Sequence, residues 1–353
     1  MLADARREQP MTRPIQASPG RLVEVDALRG FAALSVVFFH YTSRYLVEFK
    51  PSTPPSFEFS NGQYGLVLFF IISGFVIFMT LDKTRQPMDF LVSRFSRLYP
   101  VYWVSVAVTF VATHAMGLPG HLVGLKTAVA NLLMFHGLFG VAHVDSVYWT
   151  LEVELLFYCS MLALFCLGWL DRILAVMAAL IGLRLVYVLL HQYGVDLPWM
   201  VYRLLILENI AWFAIGVSIY LLTSRQGSRW APLATIAWAV LSLYLAESLF
   251  VAAIAAGLAP VVYLAASGRL PLLRQGVFIW LGAISYPLYL VHENIGWGIQ
   301  LRLAAWGVPT DVTIAVALVC SLALATALHR LVEMPAMRWL RARYRERRAA
   351  AVA

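Results

Sequence analysis

The sequence predicts an all-α, polytopic membrane helix bundle of about ten transmembrane helices plus one re-entrant or interfacial helix. Three observations predict it. Apolar residues make up 61% of the chain and charged residues only 13%, against about 25% charged in soluble domains. Mean hydropathy is +0.75, concentrated in runs long enough to cross a hydrocarbon core of about 30 Å. The net charge of +8 is gathered in a few segments instead of being spread. No polar block in the 353 residues is long enough for a separate soluble domain, so one membrane domain (26–334) is expected between a leader (1–25) and a tail (335–353).

The leader carries Pro10, Pro14 and Pro19 among scattered charges, without periodicity, and reads as flexible. It lacks the short apolar core of a cleavable signal. The first apolar helix, 28–46, is therefore expected to serve as an uncleaved insertion signal. A polar, proline-rich linker (47–62) separates it from the second helix, 63–81. A basic loop, 82–97, leads into the third, 98–116. Residues 123–139 are apolar but interrupted by Lys126, Asn131 and His136, too polar and short for a full span, hence the re-entrant or interfacial helix. Helices follow at 148–167, 173–190, 201–222, 231–246, 249–266, 278–299 and 312–332.

Ten spans put both termini on one side. The basic residues Arg6, Arg7, Arg13 and Arg21, those within 83–97, Arg225 and Arg229, Arg269 and Arg274, and those within 338–348 all then fall on that side. That is the positive-inside pattern, with the basic side cytoplasmic. In a chain this apolar the charge excess speaks for topology and against nucleic acid. Cys159, Cys166 and Cys320 all lie in apolar runs, an odd number without metal-like spacing. His114, His121, His136 and His143 match no tight metal motif either, and no metal is expected.

Within the first helix, Arg29 and His40 are eleven residues apart. At about 100° per residue they share one face, separated by ~16 Å along the axis. Asp26 opens the same stretch. An ionisable group at such depth marks a functional site by default, and imidazole is the common general base; the bland alternative is a packing histidine. Arg94 and Arg97, three apart, face one way and with Arg29 suit a polyanionic ligand, or else serve topology alone. In Y-W-T-L-E-V-E-L-L-F-Y, Glu152 and Glu154 are two apart and point ~200° from each other on a helix, so they do not form an acid/base pair. I-S-Y-P-L-Y-L-V-H supplies Tyr286, Tyr289 and His292, with Pro287 perturbing the helix. S-G-F at Ser73 to Phe75 offers a small pair for close helix packing.

Five stretches in order, V-D-A-L-R-G-F-A-A-L-S-V-V-F-F-H, F-F-I-I-S-G-F, S-R-F-S-R-L-Y-P, Y-W-T-L-E-V-E-L-L-F-Y and I-S-Y-P-L-Y-L-V-H, resemble the acyltransferase 3 family of integral membrane acyltransferases, over about residues 23–332. The resemblance is to members of the exopolysaccharide-acylating type. It implies transfer of an acyl group, typically acetyl, from cytoplasmic acyl-CoA to a hydroxyl of an exported or cell-surface glycan or glycolipid. It further implies a bacterial inner-membrane location, no tightly bound cofactor, and polysaccharide-assembly proteins as further partners. The family's arginine and histidine fall on Arg29 and His40, its basic pair on Arg94 and Arg97, and its glutamate on Glu154. His40 is then the catalytic base, Glu154 orients it or the acceptor, and Arg29, Arg94 and Arg97 bind the coenzyme A phosphates. Leu155 stands where many relatives carry a second glutamate. Asp26, Glu152, Tyr286, Tyr289 and His292 remain further candidates. The competing class is a transporter or flippase of a glycan or lipid intermediate, though the repeated halves common in transporters are not visible.

Overall fold

The computed structural model describes residues 22–224 and 227–352. Most of the predicted leader, and Arg225, lie outside the described residues. Among these there is no strand, and six helical stretches are long and apolar enough to cross a membrane: Ser60–Asp82, Pro87–Met116, Ser146–Cys166, Leu170–Gln192, Leu249–Ala266 and Thr310–Ala350. Three further apolar helices, Ile210–Ser224, Trp230–Ala246 and Gly276–Val291, are shorter. The sequence predicts about ten spans; fewer stretches reach that length because several predicted helices are interrupted.

Helix α1 (Val23–Phe39) starts five residues before the predicted 28 and takes in the last residues of the expected leader. It passes through a π-helical turn, His40–Arg44, into α2 (Tyr45–Phe49). The turn is wide because the His40 carbonyl is claimed twice. It accepts from the Tyr45 amide five residues on and from Trp297 Nε1 at 2.8 Å. Such π turns recur at functional sites.

Helix α3 (Gly65–Asp82) matches the second predicted span. Helix α4 (Pro87–Met116) corrects the third: it begins at Pro87, not at 98, so Arg94 and Arg97 sit on a helix and not in a loop. Pro87 takes a first-turn position, where a missing amide costs nothing, and the basic run continues helically from it. The marginal segment 123–139 holds a seven-residue helix, α5 (Leu125–Asn131), and a 3₁₀ turn, too short to cross.

Helices α6 (Trp149–Cys166) and α7 (Ile173–Gln192) follow as predicted. The predicted span 201–222 is broken into α8 (Trp199–Leu204) and α9 (Ile210–Ser224) around Ile206, whose φ is +48°. Helices α10 (Trp230–Ala246) and α11 (Leu249–Ala266) agree with the sequence reading. The predicted 278–299 is likewise two helices, α12 (Gly276–Val291) and α13 (Glu293–Ala305), parted at His292. The break is tolerated in the interior because side chains satisfy the backbone there. His292 Nδ1 donates to the Tyr289 carbonyl at 2.8 Å, and Tyr41 donates to the His292 carbonyl at 2.8 Å. Helix α14 (Thr310–Leu328) continues through a second π turn into α15 (Met334–Val352), so the predicted basic tail is helical.

Two glycine crossings set the frame. A Cβ on Gly282 of α12 would lie 2.3 Å from the Asp26 carbonyl of α1, and one on Gly30 would lie 2.7 Å from the Gly282 amide. A Cβ on Gly216 of α9 would lie 1.9 Å from the Ile71 carbonyl of α3, and one on Gly74 2.3 Å from the Phe213 carbonyl. These backbones touch, as the small residues of S-G-F predict. Helices α1, α3, α4, α6 and α12 thereby enclose the site.

Candidate active site

The predicted residues gather into two neighbouring compartments. The first is a cavity of about 50 Å³ lined by Arg29 from α1, Ser73 from α3, Arg94 and Arg97 from α4, Glu154 and Tyr158 from α6, and Tyr286 and Tyr289 from α12. About 10–15 Å³ of such space holds one water, so the lumen is narrow and takes only a few. Arg94 lies against the Phe90 ring at 5.7 Å and donates to Thr80 Oγ1 at 3.2 Å, while its buried Nε has no partner. Glu154 accepts from Ser73 Oγ at 2.8 Å and from the Tyr158 hydroxyl. Its carboxylate therefore faces the arginine compartment.

Tyr289 and Thr150 also line that cavity. Their hydroxyls are hydrogen-bonded to one another at 2.8 Å, and the Val147 carbonyl lies 3.3 Å from the Tyr289 hydroxyl and 2.9 Å from that of Thr150. Tyr286 is anchored to the Leu98 carbonyl at 3.3 Å.

His40 lies in the second compartment and is not among the residues lining the first. Its Nδ1 is 2.9 Å from the Val36 carbonyl and 3.1 Å from Nε2 of His292. Its Nε2 is 3.5 Å from Oε1 of Glu293. His292, 252 residues away in sequence, is fully buried against it with the rings 4.9 Å apart. Glu293 is a residue that the sequence reading missed. It is 1% exposed. Its Oε2 accepts from Ser146 Oγ at 2.6 Å and from the Val147 amide at 3.2 Å. Behind it lies Asp145, also missed and fully buried, whose Oδ2 accepts from the Asn294 amide at 3.2 Å. Burial and the neighbouring Glu293 push the Asp145 carboxyl well above the usual carboxylate range. The available signal was H-E in an apolar stretch, an ionisable pair where such groups are expensive.

The remaining candidates stand apart. Asp26 lies in the first turns of α1, at the crossing with α12. Glu152 is buried and accepts from Arg203 Nε at 2.9 Å. It packs with Gly137 and His143, and His143 Nδ1 meets His136 Nε2 at 2.8 Å. Burial and the adjacent His143 push the His136 imidazole down to about 4. Among the described residues, no three His, Cys, Asp or Glu side chains converge as a metal site.

The arrangement supplies one cavity lined by three arginines and, in a separate compartment, an imidazole 3.5 Å from a buried glutamate. A family model described as an acyltransferase domain matches residues 22–330. ORF330 of Acidianus two-tailed virus, which carries an acetyltransferase name, is 24% identical over 76% of this chain and 81% of its own length. Nodulation protein 10 of Rhizobium leguminosarum bv. viciae is 28% identical over 41% of this chain and 44% of its own. The exopolysaccharide production protein ExoZ of Rhizobium meliloti is 31% identical over 29% of this chain and 33% of its own. The matches to the two rhizobial proteins thus span less than half the length of those relatives. No solved structure matches the chain.

Proposed function

Because the chain belongs to this acyltransferase domain family and is an acyltransferase enzyme, we propose that it moves an acyl group, acetyl foremost, from cytoplasmic acyl-CoA to a hydroxyl of an exported or cell-surface glycan or glycolipid. The observation that carries the reading is the narrow cavity joining Arg29, Arg94 and Arg97 to Tyr289 and Thr150. Arginines bind phosphate oxygens through charge-assisted, often bidentate hydrogen bonds, which suits the coenzyme A head. The thin lumen suits its thioester arm, and the Glu154 carboxylate can accept from an amide N–H of that arm. Family membership also decides against the transporter reading.

The acyl carbon passes the Tyr289–Thr150 pair to reach His40. The acceptor hydroxyl gives its proton to His40 Nε2 while its oxygen bonds to the acyl carbon. The C–S bond then breaks, and the departing thiolate takes the proton back from the imidazolium. An ester and a free thiol result, with no net proton change. The distribution of basic residues supports an inner-membrane orientation with the arginine end and both termini cytoplasmic. The exopolysaccharide name of ExoZ supports a glycan acceptor, with polysaccharide-assembly proteins as partners.

The test is twofold. Purified protein is given radiolabelled acetyl-CoA, and thiol release and label transfer to a membrane glycolipid extract are measured. Surface glycans and lipids of a deletion strain are then weighed by mass spectrometry, with and without complementation. The expected result is loss of acetyl groups on deletion and their return with the parent chain but not with His40→Ala. Unchanged glycans and lipids, together with no turnover of the donor, overturn the proposal.

A further inference from the structure

We propose that Glu293 is the positioning carboxylate of His40: it waits where the proton taken from the acceptor will be held, and attracts the imidazole only after that proton arrives. The inference rests on His40 being the base, as in the reading above, and adds a residue to it.

The hydrogen-bond network assigns the protons. Carbonyl oxygens only accept. His292 Nδ1, 2.8 Å from the Tyr289 carbonyl, must therefore carry a hydrogen, which leaves His292 Nε2 with its lone pair. His40 Nδ1, 2.9 Å from the Val36 carbonyl, must likewise carry one. That same hydrogen points toward the His292 Nε2 lone pair at 3.1 Å. Both Nδ1 contacts thus select one tautomer and leave His40 Nε2 bare, the atom a general base needs.

Nε2 faces Oε1 of Glu293 at 3.5 Å. This Oε1 is buried and makes no hydrogen bond. A buried carboxylate oxygen without a partner is costly, and here it is aimed at a lone pair. The separation is longer than a hydrogen bond, as two electron-rich atoms require. A proton on Nε2 converts the pair into a charge-assisted hydrogen bond. Stabilisation that appears only on proton transfer favours the transition state over the ground state.

The other carboxylate oxygen is clamped. Ser146 Oγ at 2.6 Å and the Val147 amide at 3.2 Å fix Oε2, so the side chain cannot swing away. Asp145 supplies the remaining half of the argument. It lies behind Glu293, and burial and that neighbour push its carboxyl well above the usual carboxylate range. The other cation near His40, Arg44, is turned to Glu48 at 3.5 Å.

The experiment compares the parent with Glu293→Gln, Glu293→Asp, Glu293→Ala and His40→Ala. Each is purified as the full chain and checked for a monodisperse state, and acetyl-CoA turnover is read as thiol release. Glu293→Gln keeps acceptors for Ser146 and Val147 but has no charge. Its kcat is expected to fall roughly 10–100-fold, the usual range for a residue supporting a reacting group, with KM for acetyl-CoA within about threefold. Glu293→Asp should recover part of the rate, and added formate should restore part of the activity of Glu293→Ala. The formate readout stands even if the Gln variant fails to fold, since a structural defect is not repaired by a free carboxylate. Parent-like kcat in a folded Gln variant, or no formate rescue of Glu293→Ala, overturns the role of Glu293 while His40→Ala stays inactive. A His40→Ala protein with normal turnover overturns the underlying reading instead.

Discussion

Replacing His40 by Ala separates chemistry from folding, because the structure bounds both costs. General-base assistance contributes roughly 10²–10⁴-fold in rate, which is about 2.7–5.5 kcal/mol of barrier. The structural cost is smaller. The Val36 carbonyl keeps its helical partner, the His40 amide, so losing the imidazole orphans nothing there. His292 Nε2 loses the donor now 3.1 Å away, and a buried unsatisfied acceptor costs about 1–3 kcal/mol. The backbone of the π turn is untouched, since Trp297 bonds the main-chain carbonyl of residue 40. The variant should therefore insert and purify, with its thermal midpoint lowered by a few degrees at most for a chain of this size. Donor affinity should stay within a few-fold, because Arg29, Arg94 and Arg97 line a separate cavity. The assay is acetyl-CoA turnover at saturating donor, beside calorimetric titration of coenzyme A. A monodisperse His40→Ala protein that turns over at near-parent rate refutes the reasoning. One that binds coenzyme A normally yet is inactive supports it.

Other outcomes follow from the same geometry. Arg97→Ala should weaken coenzyme A binding by about 10–100-fold, the scale of one charge-assisted hydrogen bond, with the loss shrinking as salt rises; unchanged affinity at low salt would return Arg97 to a topological role. Glu152→Gln and Glu154→Gln should separate cleanly. The first breaks a buried pairing with Arg203 and lowers the melting temperature, whereas the second alters the donor cavity and lowers activity at unchanged melting temperature; the reverse pattern in thermal shift and turnover would refute the assignment. The loop holding His136 should loosen in acid. With its imidazole pushed down to about 4 from an ordinary 6.5, the open loop binds the additional proton. The stabilisation is then full above about pH 6.5 and is lost as pH falls through 4. Hydrogen exchange of residues 131–145 at pH 7.5 and pH 4.5 reads this directly, and equal protection at both would count against it.

Arg94 and Arg97 were legible because their relation is local: three residues on any helix share a face, and both line the cavity. Their placement on α4 was not, since a basic run before an apolar span reads as a loop by charge while Pro87 starts the helix by geometry. His292 was legible as a residue type in an expensive place, but its contact with His40 is made by the crossing of α1 and α12, which no spacing within either helix encodes. The π turn at His40 was beyond reach for a similar reason, because it depends on Trp297 from a distant helix. Glu293 carried a signal that went unweighed: a second ionisable residue directly after His292. Asp145 carried little, for an acid in a segment expected between spans is ordinary, and only the fold makes it fully buried.

The closed pair of hydroxyls at Tyr289 and Thr150 bears on the energy economy of the cell. An enzyme that lines a path through a bilayer with Arg, Glu, Tyr and His risks becoming a wire for hydrogen ions. Each charge leaking down a membrane potential of 100 mV dissipates about 2.3 kcal/mol. Hydroxyls relay such ions only when each can accept from one neighbour and donate to the next. Here one of the two hydroxyls donates to the other across 2.8 Å, and the remaining hydrogen ends on the main-chain oxygen of Val147, an amide carbonyl that passes nothing onward. In this arrangement the pair ends its hydrogen-bond chain on a carbonyl and relays no proton from the arginine-lined cavity toward His40.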